Sequence, residues 1–123
     1  AQFNLGVLLQ STRRPRQAIE AYRRAQALDP QHVTLHLNLG LSQLALNDTP
    51  AAYAEFKRAV ALKPDSPEAL RLAGGCALQL GNLPEARRYL QEARRLLPQH
   101  PGIQQAYRVL EERERERAAP PAP

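Results

Sequence analysis

Apolar residues crowd one stretch of the chain: Val33, Leu35, Leu37, Leu39, Leu41, Leu44 and Leu46. The density predicts a helix near 33–46 that is buried on more than one side. Asn47-Asp48-Thr49-Pro50 then reads as a turn, with Thr49 as N-cap and Pro50 at the first helical position. Ala52, Tyr53, Phe56, Ala59, Val60 and Leu62 follow at helical intervals and predict a second helix near 50–63. Pro64 closes the pair, because proline cannot continue a helix.

The pair is repeated. Pro30, Pro64 and Pro98 lie 34 residues apart, and Gly6, Gly40 and Gly74 keep the same spacing. So do Ala18, Ala52 and Ala86, and again Ala25, Ala59 and Ala93. Tyr22, Phe56 and Leu90 are always large and apolar, and Leu28, Leu62 and Leu96 are identical. Asp65-Ser66-Pro67-Glu68 and Asn82-Leu83-Pro84-Glu85 start helices by the same N-cap and proline logic. Helices are therefore expected near 1–12, 15–29, 33–46, 50–63, 67–80, 84–97 and 101–117, seven in all.

Glycine inside a helix costs about 1 kcal/mol relative to alanine, so three at one position need a compensating contact. The expectation is close approach of paired backbones, as between Gly40 and Ala52. The Ala25 series would do the same against the next pair, with Tyr22 and Phe56 filling the larger gaps. Gly75, beside Gly74, has no such account.

The residues Asn4-Leu5-Gly6, Ala18, Tyr22, Ala25 and Asp29-Pro30 resemble the signature of the tetratricopeptide repeat family, and Asn38-Leu39-Gly40, Ala52, Phe56, Ala59 and Pro64 repeat it. The third unit departs, with Ala73 and Leu90 where leucine and an aromatic are usual. The resemblance implies an all-α fold: a right-handed α-solenoid of helix–turn–helix repeats, with first helices lining a concave groove. The repeats would be 1–32, 33–66 and 67–100, followed by a capping helix 101–117, as one domain 1–117, with a proline-rich tail 118–123. Ile103, Tyr107 and Leu110 give that last helix an apolar side, but Arg108 replaces the repeated glycine. Its end, Glu111 to Arg117, is polar all round and would solvate the stack through pairs such as Glu111–Arg115 and Glu114–Arg117.

Family geometry places Phe3, Asn4, Val7, Thr34, Leu37, Asn38, Leu41, Leu44, Ala45, Glu68, Arg71, Leu72, Gly75 and Leu78 on the groove. The leucines suit the apolar side of a helical or extended peptide. Asn4 and Asn38 would hold its backbone, and Arg71 a carboxylate. One subtype of the family grips a C-terminal carboxylate with two asparagines and several basic residues. Only Asn38 matches it, because Phe3, Val7, Glu68 and Leu72 fill the other positions. The competing reading makes some of these leucines plain core. Leu5, Leu8 and Leu9 form an open N-terminal face, which predicts further repeats upstream, a partner chain or self-association into a homo-oligomer.

Composition narrows the function. The 123 residues suit one domain, and the net charge of +5 permits acidic partners. Arg23-Arg24, Lys57-Arg58, Arg87-Arg88 and Arg94-Arg95 lack interleaved aromatics and read as solvated surface, so nucleic acid is not expected. Cys76 is the only cysteine and reads as a small buried residue. His32 and His36 have metal-pair spacing, but no carboxylate or cysteine is placed to complete a site. Capping or solvent roles are expected for them, and for His100 at the equivalent junction. No G-x-S-x-G, phosphate loop or zinc motif occurs, so neither catalysis, a cofactor nor a metal is expected. No apolar run spans a membrane, and cytoplasm is favoured over periplasm. The expected function is a protein-interaction scaffold that binds a partner peptide or helix. The alternatives are the C-terminal stack of a larger solenoid acting through assembly, and a targeting module of a larger enzyme or secretion complex.

Overall fold

Proline and the caps before it set where helices begin. The computed structural model describes residues 5–7 and 14–118, and every regular element among them is helical. Residues 5–7 are helical, and six complete helices follow. They are α1 (Pro15–Leu28), α2 (Val33–Ala45), α3 (Thr49–Leu62), α4 (Pro67–Gln79), α5 (Leu83–Leu96) and α6 (Pro101–Ala118). They gather into two compact units, Ala1–Pro64 and Asp65–Pro123.

First helices of each pair share a cap position. The His32 Nδ1 accepts from the Leu35 N–H at 3.1 Å, the Ser66 hydroxyl from Ala69 at 3.3 Å, and the His100 Nδ1 from Ile103 at 3.3 Å. Each relieves one of the unpaired donors at a helix start. Of the second helices, α1 begins at Pro15 as expected, whereas α3 and α5 begin one residue earlier. Asp48, not Thr49, caps α3, its carboxylate accepting from the Ala51 N–H at 3.4 Å, and Pro50 takes the second helical position. Pro84 is likewise second in α5, and Asn82 makes no side-chain cap bond. Proline is tolerated there because the first turn has no backbone acceptor for its missing N–H.

The turns inside the pairs are also equivalent. Asn47 (φ 60°) and Gly81 (φ 78°) occupy left-handed backbone just after α2 and α4. The Asp48 N–H reaches the Gln43 carbonyl at 2.9 Å and the Asn82 N–H reaches Ala77 at 2.8 Å. These are the six-to-one bonds of a Schellman closure.

In the first unit, Ala18, Tyr22 and Ala25 of α1 pack with Leu35 and Leu39 of α2. Ala52, Phe56 and Ala59 supply the buried arc of α3, and Ala86, Leu90 and Ala93 that of α5. The glycine contact differs from expectation. A Cβ on Gly6, Gly40 or Gly74 would overlap Tyr22, Phe56 or Leu90 respectively, so it is the large residue, not the alanine, that requires the glycine. Identity across repeats does not guarantee burial either: Leu28 is 83% exposed, whereas Leu90 is fully enclosed.

Helix α6 is less free than its charge pattern predicts. Ile103, Tyr107 and Leu110 are buried along one side. Arg113 donates to the Leu78 carbonyl and Arg117 to that of Gly81, each at 2.7 Å, satisfying the C-terminal end of α4. Glu114 accepts two bonds from Arg87, at 2.7 and 2.5 Å, rather than pairing with Arg117 on its own helix. The polar end thus clamps its own unit as well as facing water.

Candidate peptide-binding face

Helix α2 has two unlike sides. Leu35, Leu39, Gly40 and Ser42 are buried against neighbouring helices. On the other side lie Thr34, Leu37, Asn38, Leu41 and Leu44, at the three- and four-residue spacing that aligns side chains on a helix. Thr34 is exposed, and Asn38, Leu41 and Leu44 are half-buried. Leu37 is only 8% exposed and behaves mainly as core. Val7 is 42% exposed. Phe3, Asn4, Leu8 and Leu9 lie outside the described residues. Leu5 is 41% exposed and, with Gln17, Glu20, Ala21 and Arg24, lines a separate hollow.

The same register in the second unit carries different chemistry. Thirty-four residues on, Glu68 is exposed, Arg71 and Leu72 are half-buried, and Leu78 is buried. A Cβ on Gly75 would meet nothing within 4 Å, so this glycine, unlike Gly74, leaves open space where Leu41 stands in the first unit.

A buried polar group behind the α2 face escaped the sequence pattern. His36 is not a surface residue: its side chain is 3% exposed and that of Glu55 on α3 is 6% exposed. The His36 Nδ1 and Glu55 Oε2 are 2.7 Å apart, and the Nε2 donates to the Pro30 carbonyl at 2.7 Å. Gln26 of α1 adds contacts of 3.3 Å to the ring and 3.4 Å to the carboxylate. A carboxylate does therefore stand beside this histidine, supplied across the helix pair. The arrangement is a structural tie, joining α1, the junction at Pro30, α2 and α3. Its signal was Glu55 itself, a charge set in the buried arc Ala52, Phe56 and Ala59, where it requires a partner. Behind the same face, Ser42 Oγ and Gln43 Oε1 are buried without a hydrogen-bond partner among the described residues.

The basic pairs are largely occupied within the chain. Arg24 pairs with Glu20 at 2.6 Å, Arg58 with Glu55 at 3.3 Å, and Arg95 with Glu92. Aromatic rings do accompany these cations, contrary to expectation. Lys57 lies over Tyr53, Arg88 over Tyr89, and Arg94 over Tyr107 at 3.8 Å from the ring centre. Arg87 also bonds the Tyr107 hydroxyl at 2.8 Å. The bond from Arg87 holds the Glu114 carboxyl below the usual carboxylate range. Burial pushes the Cys76 thiol up to about 11.

Among the described residues, no three His, Cys, Asp or Glu side chains gather as a metal site, and no helix is long and apolar enough to cross a membrane.

No curated protein matches the chain in sequence. Solved structures match it in fold. The first tetratricopeptide repeat domain of Spaghetti (RPAP3), bound to the HSP90 peptide SRMEEVD, is 20% identical, with a TM-score of 0.86 over 91% of this chain and 89% of that one. The Yersinia enterocolitica type III secretion chaperone SycD, in complex with a peptide of the translocator YopD, is 20% identical, with a TM-score of 0.79 over 94% of this chain and 92% of that one. PcrH, in complex with the chaperone binding region of PopD, is 22% identical, with a TM-score of 0.79 over 94% and 90%. The family model described as tetratricopeptide repeat matches residues 3–67 and, one repeat on, 37–101, so the chain belongs to the tetratricopeptide repeat family.

Proposed function

We propose that this protein is an interaction scaffold that takes a peptide or helix of a partner protein on the apolar side of α2. The observation that carries this reading is the half-buried row of Leu41 and Leu44 beside the amide of Asn38. Half-open leucines on a solvent-facing strip gain by being covered, at about 25 cal/mol per Å² of apolar area removed from water. The amide can hold an extended backbone as donor and acceptor at once. The solved relatives lend support, since the repeat domains of RPAP3, SycD and PcrH hold peptide segments of other proteins.

The test is selection of peptides from a random displayed library on the wild-type chain, followed by binding to Leu41→Glu. Selected sequences should carry apolar residues at helical or alternating spacing. Leu41→Glu should weaken them at least about tenfold while the far-UV circular dichroism and melting curve stay unchanged, because a half-open position tolerates a charge only when nothing covers it. Equal binding by the variant overturns the assignment of this face.

A second reading, assembly through the N-terminal face, draws on the exposure of Leu5 and its hollow with Gln17, Ala21 and Arg24. Sedimentation would show an oligomer that Leu5→Arg disperses; a wild-type chain monomeric at high concentration removes it.

A further inference from the structure

The second unit contains a hollow apart from the α2 face. It encloses about 230 Å³ and is lined by Pro67, Glu68, Arg71, Leu97, His100 and Ile103. That is below the roughly 300–1,000 Å³ of sites for drug-sized ligands, and fits something the size of one residue.

Its polar groups are donors in excess. Arg71 is half-buried and has no ion-pair or hydrogen-bond partner among the described residues, Glu68 included. The His100 Nδ1 is committed as an acceptor, taking the Gly102 N–H at 3.1 Å and the Ile103 N–H at 3.3 Å. A neutral imidazole that accepts at Nδ1 carries its proton on Nε2, so the cap fixes the tautomer and leaves an N–H to donate. Beside these donors, Leu97 and Pro67 offer apolar wall.

We propose that this hollow binds the carboxylate side chain of an acidic residue, best a glutamate, in a partner polypeptide. Arg71 would take the carboxylate in its planar fork, the His100 Nε2–H would add one bond, and the methylene stem would lie on Leu97 and Pro67. Glu68 on the rim offsets one charge, which suits a monoanion and works against a dianion such as phosphate. A chain terminus is disfavoured because its carboxylate arrives on a substituted carbon, with no stem to occupy the apolar wall. The site takes the peptide-binding reading as its setting, but its residues all belong to the second unit.

The experiment is an amide shift titration of the full chain with N-acetyl-glutamate α-methylamide, whose only carboxylate is in the side chain. Shifts at Ile103 and at the Arg71 side chain should saturate at roughly 1–10 mM, as expected for so small a ligand. The neutral N-acetyl-glutamine methylamide should give none. Arg71→Gln should weaken binding at least about fivefold. His100→Ser keeps a capping oxygen, as Ser66 does for α4, and should weaken binding about twofold to threefold through the lost ring donor. Leu41→Glu should leave the titration unchanged, which separates this site from the α2 face. Equal shifts from the neutral probe, or unchanged affinity in Arg71→Gln, overturn the site. Equal or tighter binding of N-acetyl-alanine or inorganic phosphate at the same residues overturns the choice of an acidic side chain.

Discussion

A Cβ on Gly40 would lie 2.8 Å from Cζ and 2.9 Å from Cδ1 of Phe56, inside the van der Waals surface of a fully buried ring. Gly75, one helix pair on at the register of Leu41, would place its Cβ in open space, with nothing within 4 Å. The two glycines therefore respond to alanine with opposite signs. Gly40→Ala gains about 1 kcal/mol of helix propensity but forces an overpacking cost of about 1–3 kcal/mol, because a rigid ring in a closed core cannot yield. Gly75→Ala takes the propensity gain alone. Thermal melting should show Gly40→Ala lowered by several degrees and Gly75→Ala unchanged or raised. A shared sign would break the argument.

That contact marks where sequence reading stops. Repetition of side chains is visible directly, so the six complete helices, their boundaries to within a residue or two, and the large and small core positions were legible. Periodicity equates Gly6, Gly40 and Gly74 with one another, but it carries no information on which residue of the facing helix each meets. The choice of Phe56 over Ala52 depends on how the helices cross. The pairing of His36 with Glu55 was hidden for the same reason. On the candidate face, Leu37, Leu41 and Leu44 are chemically identical in the sequence. Only packing separates the closed Leu37 from the half-open other two.

The His36–Glu55 tie should dominate the stability of the first unit. The His36 ring bridges the Pro30 carbonyl through Nε2 and Glu55 Oε2 through Nδ1, at 2.7 Å each. Removing one partner strands a buried polar group. Glu55→Ala and His36→Ala should each cost about 3–5 kcal/mol in chemical denaturation, and the double variant clearly less than their sum. Strict additivity would show that the two side chains are not coupled.

Acid should loosen the second unit through Glu114. Its carboxyl is held below the ordinary range chiefly by the hydrogen bond from Arg87, with the opposing charge adding to it. A group depressed in the folded state stabilises above its unfolded value, about 4.3 for glutamate, and that contribution is lost as pH falls through the lowered folded value. The pair is about one-third exposed on each side, so its worth is held to about 1 kcal/mol or less. Wild type should exceed Glu114→Gln in stability by a constant margin from pH 7 to 5, and the margin should shrink as pH falls below the unfolded value and vanish once it is below the lowered folded one. A margin that persists at pH 2 would assign the effect to shape rather than charge.

Cys76 offers a probe of the same unit from inside. Burial lifts its thiol to about 11 and leaves it 3% exposed, among the small residues of α4. At pH 7 only about one thiol in ten thousand would be ionised, and the thiolate is the reacting form. Reaction with an aromatic disulfide reagent should therefore proceed through opening of the unit, not from the native state. Arg87→Gln removes the bonds to Glu114 and Tyr107 and should raise the labelling rate by the same factor as it raises the unfolded fraction. Urea below the transition should act in parallel. Labelling of the native chain at the rate of a free thiol, or a rate indifferent to both changes, would place the sulfur at the surface and contradict the packing of α4.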